Sequence, residues 1–294
     1  MKKRIQEIFN QYINQFPGEF AAGWMNLYSN ETYFINENKT MPTASISKIF
    51  ILADILRKIE LRELKWTDKI IMNPGKVSSG SGILKFFHGG EELSLYDYAI
   101  LMMSISDNTA ADILFSLCGK EEIKKAILRP NLMNHTNFNL TCNEMVSDFY
   151  GGNNGPDNRK LEKKHDEAAS GKETWKSNYT TVSDLTRFLA NAYHKKVVSP
   201  WVSSNLLLIM GKCLTNARIP YYLPEDIRVS HKTGTMGQLV NDAGIVFTPK
   251  GDYILVLFYD GNTAYRKADL HIENIHKCEQ NLAELSRDIY SLYI

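Results

Sequence analysis

Cysteine is scarce and scattered in this chain. Cys118, Cys142, Cys213 and Cys278 form no CxxC pair, which argues against a zinc site or a dithiol redox motif and leaves free thiols as the expectation. No charge of one sign dominates: 34 Lys and Arg face 33 Asp and Glu, so there is no global electrostatic case for a nucleic-acid partner. The basic run at 160–164 is short and has acidic neighbours, as a solvated loop does. No apolar stretch approaches the ~18–20 residues of a membrane span. HExxH, GxxxxGK[ST] and GxGxxG are all missing, so no metal or nucleotide cofactor is expected. Met1-Lys2-Lys3-Arg4 has the basic head of a secretion signal. The apolar Ile5, Ile8, Phe9, Tyr12, Ile13 and Phe16 beyond it are spaced as in a helix and broken by polar residues. A soluble, cytoplasmic protein without membrane attachment is expected, secreted if a leader preceded this chain.

What is present is enough for one large core or two domains sharing a cleft, with 294 residues at 44% hydrophobic content. After a first helix ending near Pro17-Gly18, residues 20–28 and 31–35 read as two strands turning at Ser29-Asn30. From Pro42 to about residue 212 the pattern is largely helical. Ile49 to Ile59 is apolar almost all round, as in a buried helix. Residues 95–105 form another, with Ser94 and Asp97 at capping-box spacing, and 109–117 a third that stops at Gly119. The polar segment 147–178 carries few apolar anchors and reads as a long loop. Helices return at 182–193 and 202–210. Strands follow at 228–236, 238–248 and 253–259, and a last helix begins near Ala264. This order predicts an α/β domain (1–40 with 214–294), in which a five-stranded antiparallel sheet is flanked by the terminal helices. An all-helical domain (41–213) is inserted into it.

Three short motifs carry the chemistry. Ser45-Ile46-Ser47-Lys48 places a serine and a lysine three apart, one above the other on a helix face. Alone it is weak, since roughly one serine in sixteen has a lysine at that spacing. Its setting is the start of a core helix, where the ammonium is buried. To serve as a base near neutral pH, Lys48 must drop ~3 units from ~10.4, a cost of about 4 kcal/mol, through burial and a neighbouring cation such as Lys232. Ser106-Asp107-Asn108 lies between two helices. Asp107 suits a helix cap, the Ser106 hydroxyl can pass a proton to a leaving group, and the Asn108 amide can hold a substrate amide and Lys48. In Lys232-Thr233-Gly234, Lys232 and Thr233 can bind a substrate carboxylate, and Gly234 permits close backbone approach. The amides of Thr235 and Ser45 would form an oxyanion hole, each donor worth ~3 kcal/mol in the transition state. His231 alternates to the other face of that strand, toward packing or solvent.

The ordered set SxxK, SDN and KTG resembles the class A β-lactamases and penicillin-binding proteins. The resemblance extends through Leu93 to Gly119 and Ser230 to Thr235, and the strand–helical insert–strand order matches as well. It implies a serine hydrolase that forms an acyl-enzyme on Ser45 with a small carboxylate-bearing β-lactam, peptide or ester. Lys48 is then the general base, with Ser106 and Lys232 serving the leaving-group proton and the local field. Asn108, Thr233, Gly234 and Thr235 position the substrate. The family's Glu-x-x-Leu-Asn deacylation motif is not found between residues 130 and 180. Glu144 is nearest to the expected place, with Glu162 and Glu167 further on, and for each a solvated surface carboxylate is the better expectation. Without a placed base, acylation outruns hydrolysis, as in a penicillin-binding, DD-peptidase- or esterase-like protein. A non-catalytic β-lactam-binding sensor is the alternative of another class.

Overall fold

In the computed structural model of the chain, residues 1–150, 178–261 and 271–294 are described. Helix α1 (Lys2–Tyr12) buries Ile5, Phe9 and Tyr12, one stripe at helical spacing. Strands β1 (Glu19–Asn26) and β2 (Thr32–Ile35) follow as an antiparallel hairpin. A two-residue strand β3 (Met41–Pro42) leads into a 3-10 turn, Ala44–Ser47, and then helix α2 (Lys48–Glu60). The short pair β4 (Lys69–Ile71) and β5 (Glu92–Ser94) precedes α3 (Leu95–Ser104), α4 (Asn108–Cys118) and α5 (Lys120–Ile123). Next come α6 (Cys142–Tyr150), β6 (Tyr179–Thr180), α7 (Val182–Tyr193) and α8 (Pro200–Met210). Strands β7 (Val229–Met236), β8 (Leu239–Val246) and β9 (Tyr253–Asp260), with helix α9 (His271–Tyr290), complete the described chain.

The main sheet runs β2-β1-β9-β8-β7, antiparallel throughout, as the sequence pattern predicts. Both of its faces are covered, and the two-residue period of a strand sorts side chains between two cores. From β9, Tyr253, Leu255, Leu257 and Tyr259 pack with Ile5, Phe9, Leu282 and Ile289 of the terminal helices. Ile254, Val256 and Phe258 face the helical body, joining Leu185 and Phe188 of α7. Tyr293, just beyond α9, fastens the outer layer. Its hydroxyl accepts from Trp24 Nε1 at 3.1 Å and Asn26 Nδ2 at 3.2 Å, and its ring stacks on Tyr253.

Helix α2 is the axis of the helical body, with every residue from Lys48 to Leu56 buried. Phe50 meets the edges of Phe138 and Phe188, which come from separate parts of the chain. The Ser94–Asp97 capping box starts α3 as its spacing predicts, and Gly119 ends α4 at φ 80°. Two features depart from the expectations, and one expectation falls outside the described residues. Residues 147–150 are helical, closing α6, while 151–177 lie outside the described residues. The expected helix start at Ala264 also lies outside them, and α9 is described from His271. The short pairs β3–β6 and β4–β5 arise inside the region read as helical, because two or three residues are too few to show an alternation. Truncating Phe50→Ala removes a ring shared by three segments and should cost ~3–5 kcal/mol, read as a lower urea midpoint. A loss under ~1 kcal/mol would mean that α2 is not the core's axis.

Candidate active site

Ser45 lies in the 3-10 turn and Lys48 opens α2, so the pair is closer to eclipsed than on one continuous α-helix. Ala44 sits at φ 45°, left-handed for a residue with a Cβ, a strain of order 1–3 kcal/mol that the surrounding packing must hold. The turn rests against edge strand β7 at Gly234. A Cβ on Gly234 would stand 2.6 Å from the Thr43 carbonyl and 3.3 Å from the Ser45 amide nitrogen, so only glycine fits. Asn241 Nδ2 on β8 donates to the Pro42 carbonyl at 2.8 Å and pins the turn from behind. Ser45 is half-buried, and its hydroxyl makes no hydrogen bond among the described residues.

Lys48 is fully buried. Its Nζ donates to the Ser106 carbonyl at 2.6 Å, Ser106 Oγ at 3.0 Å and Asn108 Oδ1 at 2.7 Å. Three acceptors match the three protons of an ammonium. On loss of one proton, the Ser106 hydroxyl can turn and donate to the nitrogen, making a two-way relay. Burial pulls the Lys48 pKa below the ordinary lysine value, against Cys142, Asp112 and Asp107, which push it up. Burial is thus what lowers Lys48. The second cation expected to help exerts its repulsion the other way, on Lys232.

The SDN passage is built around Asp107. One carboxylate oxygen caps α4 through Ala110 N, and the other accepts from Ile83 and Leu84 amides at 2.7 and 2.9 Å. The cap role expected for Asp107 therefore comes with a second one, holding the 81–84 loop over the site. Ser106 adopts φ 59°, which brings both its carbonyl and its hydroxyl to Lys48. Asn108 Nδ2 donates to the Ser79 carbonyl at 2.7 Å while its oxygen takes Lys48, so the amide orientation is fixed at both ends.

On β7, Lys232 is also fully buried, with Nζ donating to the Thr233 carbonyl at 3.0 Å. Burial and the charges of Lys48 and Arg218 lower its pKa to about 8, against Cys213 and Asp242. Thr233 Oγ1 lies 2.6 Å from Thr215 Oγ1. Arg218, buried behind the strand, donates to the Gly234 and Asn241 carbonyls, to Thr235 Oγ1 and to Glu279. His231 is not at the surface. It is buried, with Nδ1 at 2.9 Å from Asp242 Oδ1, and the Asp242 charge raises its pKa to about 10 although burial alone would lower it.

A pocket opens at Ser45, lined also by Ala44, Gly80, Ser81, Asn108, Cys142, Met145, Val146, Thr235 and Met236. Ser45, Asn108 and Thr235 line it, whereas Lys48, Ser106, Lys232 and Thr233 do not. A roomier depression lined by Phe34, Glu37, His135, Asp184 and Arg187 holds none of the motif residues. Glu144, the candidate deacylation base, is exposed, as expected of a surface carboxylate. Its carboxylate accepts from Thr141 N at 2.8 Å while Thr141 Oγ1 accepts from Glu144 N, a capping box at the start of α6 that faces solvent. The α6 residues that do reach the pocket are Cys142, Met145 and Val146. Glu162 and Glu167 lie outside the described residues. Sequence reasoning missed Asp112, which accepts from Ser78 Oγ and the amides of Cys142 and Asn143 and so holds α6 to α4. It also missed Arg218 and Cys213. None of these stands in a motif, and each matters only through contacts made far along the chain.

The model of the Beta-lactamase enzyme family matches residues 1–293. Beta-lactamase VEB-1 of Pseudomonas aeruginosa is 25% identical over 242 residues, 79% of this chain and 73% of that protein. A β-lactamase structure from Sphaerobacter thermophilus superposes with a TM-score of 0.79 at 23% identity, covering 99% of this chain and 97% of the other. A variant of PBP-A, solved as its acyl-enzyme complex with penicillin G, superposes at 0.77 and 22% identity, covering 100% and 97%. With the fold agreeing from end to end and the family model spanning nearly every residue, the chain belongs to the beta-lactamase enzyme family.

Proposed function

We propose that the chain is a serine hydrolase that opens a carboxylate-bearing β-lactam, or a related amide or ester, through an acyl-enzyme on Ser45. One observation carries the reading: the buried Lys48 amine is held by Ser106 and Asn108 one turn from an unengaged serine hydroxyl. Lys48 takes the Ser45 proton as Oγ bonds to the carbonyl carbon. The Ser45 and Thr235 amides receive the oxyanion. As the carbon–nitrogen bond breaks, the Ser106 hydroxyl gives its proton to the leaving nitrogen and takes one back from Lys48. Lys232 and Thr233 hold the substrate carboxylate, and Asn108 and Gly234 set its distance.

A second reading concerns the fate of the acyl-enzyme. The α6 wall of the pocket offers a thiol, a thioether and an isopropyl group, and among the described residues no carboxylate to activate water. That favours slow deacylation, with the chain behaving as a penicillin-binding protein whose adduct persists.

Intact-mass spectrometry with a penicillin should show one stable adduct, and Ser45→Ala should reduce its formation by on the order of 10⁴–10⁶. An adduct that forms equally in the variant would remove Ser45 from the mechanism. The rate of acylation should fall as pH rises through about 8, where Lys232 loses its charge, and a rate still rising there would contradict the anion site. Asn178 Nδ2 reaches Met145 Sδ at 3.3 Å, so a carboxylate placed there would find a donor. Met145→Glu should therefore shorten the adduct lifetime at least about tenfold, or ~1.4 kcal/mol in barrier. An unchanged lifetime in the folded variant would show that the α6 face does not limit deacylation.

A further inference from the structure

Behind the anion site lies a buried cluster that the acyl-transfer chemistry does not use. Cys213 follows α8 and is almost fully buried. Its backbone is fixed on both sides, by Cys213 N to the Met210 carbonyl and Leu214 N to the Ser104 carbonyl at 2.9 Å. The Sγ atom lies 3.1 Å from Thr215 Oγ1, which lies 2.6 Å from Thr233 Oγ1, so one side chain links the sulfur to the proposed carboxylate site. His231, adjoining Lys232 on the strand, has an acceptor at each ring nitrogen: Asp242 at Nδ1 and Asn216 Oδ1 at 3.2 Å from Nε2. That arrangement suits two ring protons, the imidazolium that the Asp242 charge favours.

The charge inventory of this layer is then unequal. Cations come from β7 (His231 and Lys232) and from the loop after α8 (Arg218). Anions come from β8 (Asp242) and α9 (Glu279), which pairs with Arg218 at 3.0 Å. Among the described residues, the only other cation facing Lys232 is Lys48 of α2, the proposed base. One buried positive charge is left without a partner among them, and an unpaired charge at that depth is strongly disfavoured. We propose that Cys213, joined through Thr215 to the Thr233 beside Lys232, is a positioning residue whose thiolate is the missing counter-ion and keeps Lys232 charged.

Burial alone would raise the thiol, but hydrogen bonding and charge from His231, then the Lys232 charge, outweigh it and bring Cys213 to about 6. The other cysteines move the opposite way, with burial pushing Cys142 up to about 12 and Cys118 and Cys278 upward too. A single thiolate at neutral pH is therefore expected. Because a thiolate only accepts, Thr215 donates to it and Thr233 donates to Thr215 in the free protein. An arriving carboxylate then has to redirect the Thr233 proton. The inference rests on the reading of Lys232 as the carboxylate site.

The test combines the ultraviolet thiolate band with the pH profile of acylation by a penicillin. The band should titrate near pH 6 in the folded wild type and vanish in Cys213→Ser. Its midpoint should rise in Lys232→Met, since the coupling is reciprocal. The alkaline limb of acylation should move roughly one pH unit lower in Cys213→Ser, where the hydrogen bonds survive without the charge, and return in Cys213→Asp. No band below about pH 8 in the wild type, or a Cys213→Ser limb that overlies the wild-type limb, overturns the proposal. If Cys213→Ser does not fold, the wild-type band and its midpoint in Lys232→Met decide. A wild type that never acylates defeats the functional reading instead, and the same midpoint then decides this proposal, an unmoved value overturning it.

Discussion

A lysine buried away from solvent must be given hydrogen bonds or surrender its proton, and Lys48 is held at that balance. Burial disfavours its charge, while three acceptors from Ser106 and Asn108 favour it. Much of the helical body serves this contest. Helix α2 is buried from Lys48 to Leu56, which keeps the Lys48 ammonium out of solvent. Ser106 accepts a left-handed backbone to turn two oxygens inward, and Asp107 beside it ties α4 to the loop that covers the site.

The sheet contributes the opposite wall through its edge strand. Because β7 has a neighbour on one side only, its other side can lie against the Ser45 turn, and Gly234 lets the two backbones approach. The cleft is thus the seam between the helical body and the sheet. Two buried lysines face that seam from different elements, each depressed by burial. A site that needs one neutral and one charged lysine must treat them differently. Acidic groups lie within electrostatic reach of both, but Lys48 donates to three uncharged acceptors, whereas Lys232 donates to the Thr233 carbonyl and has Cys213 and Asp242 within reach.

Much of this was legible in the sequence. The apolar run 49–56 announces a buried helix, and a lysine at its first turn can only be buried with it. The apolar run 253–259 reads as a strand and forms β9, inside the sheet, and Ser94 with Asp97 marks a helix start that forms as spaced. What local pattern could not show was direction and distance. Glu144 stands in the right stretch of chain, but its spacing from Thr141 commits it to a capping box, and the residues that turn inward are Cys142 and Met145. His231, which alternation left to packing or solvent, packs, because that face of β7 is covered too. Arg218, Asp112 and Cys213 gain their roles from partners dozens of residues away.

The central claim, that burial makes Lys48 a base while Lys232 stays a cation at neutral pH, is tested most directly by titrating the lysine side-chain nitrogens by NMR. The account predicts two resonances that titrate below the ordinary ~10.4 of lysine, one removed by Lys48→Arg and the other, near 8, by Lys232→Arg. A Lys48 resonance titrating at the ordinary lysine value would contradict it.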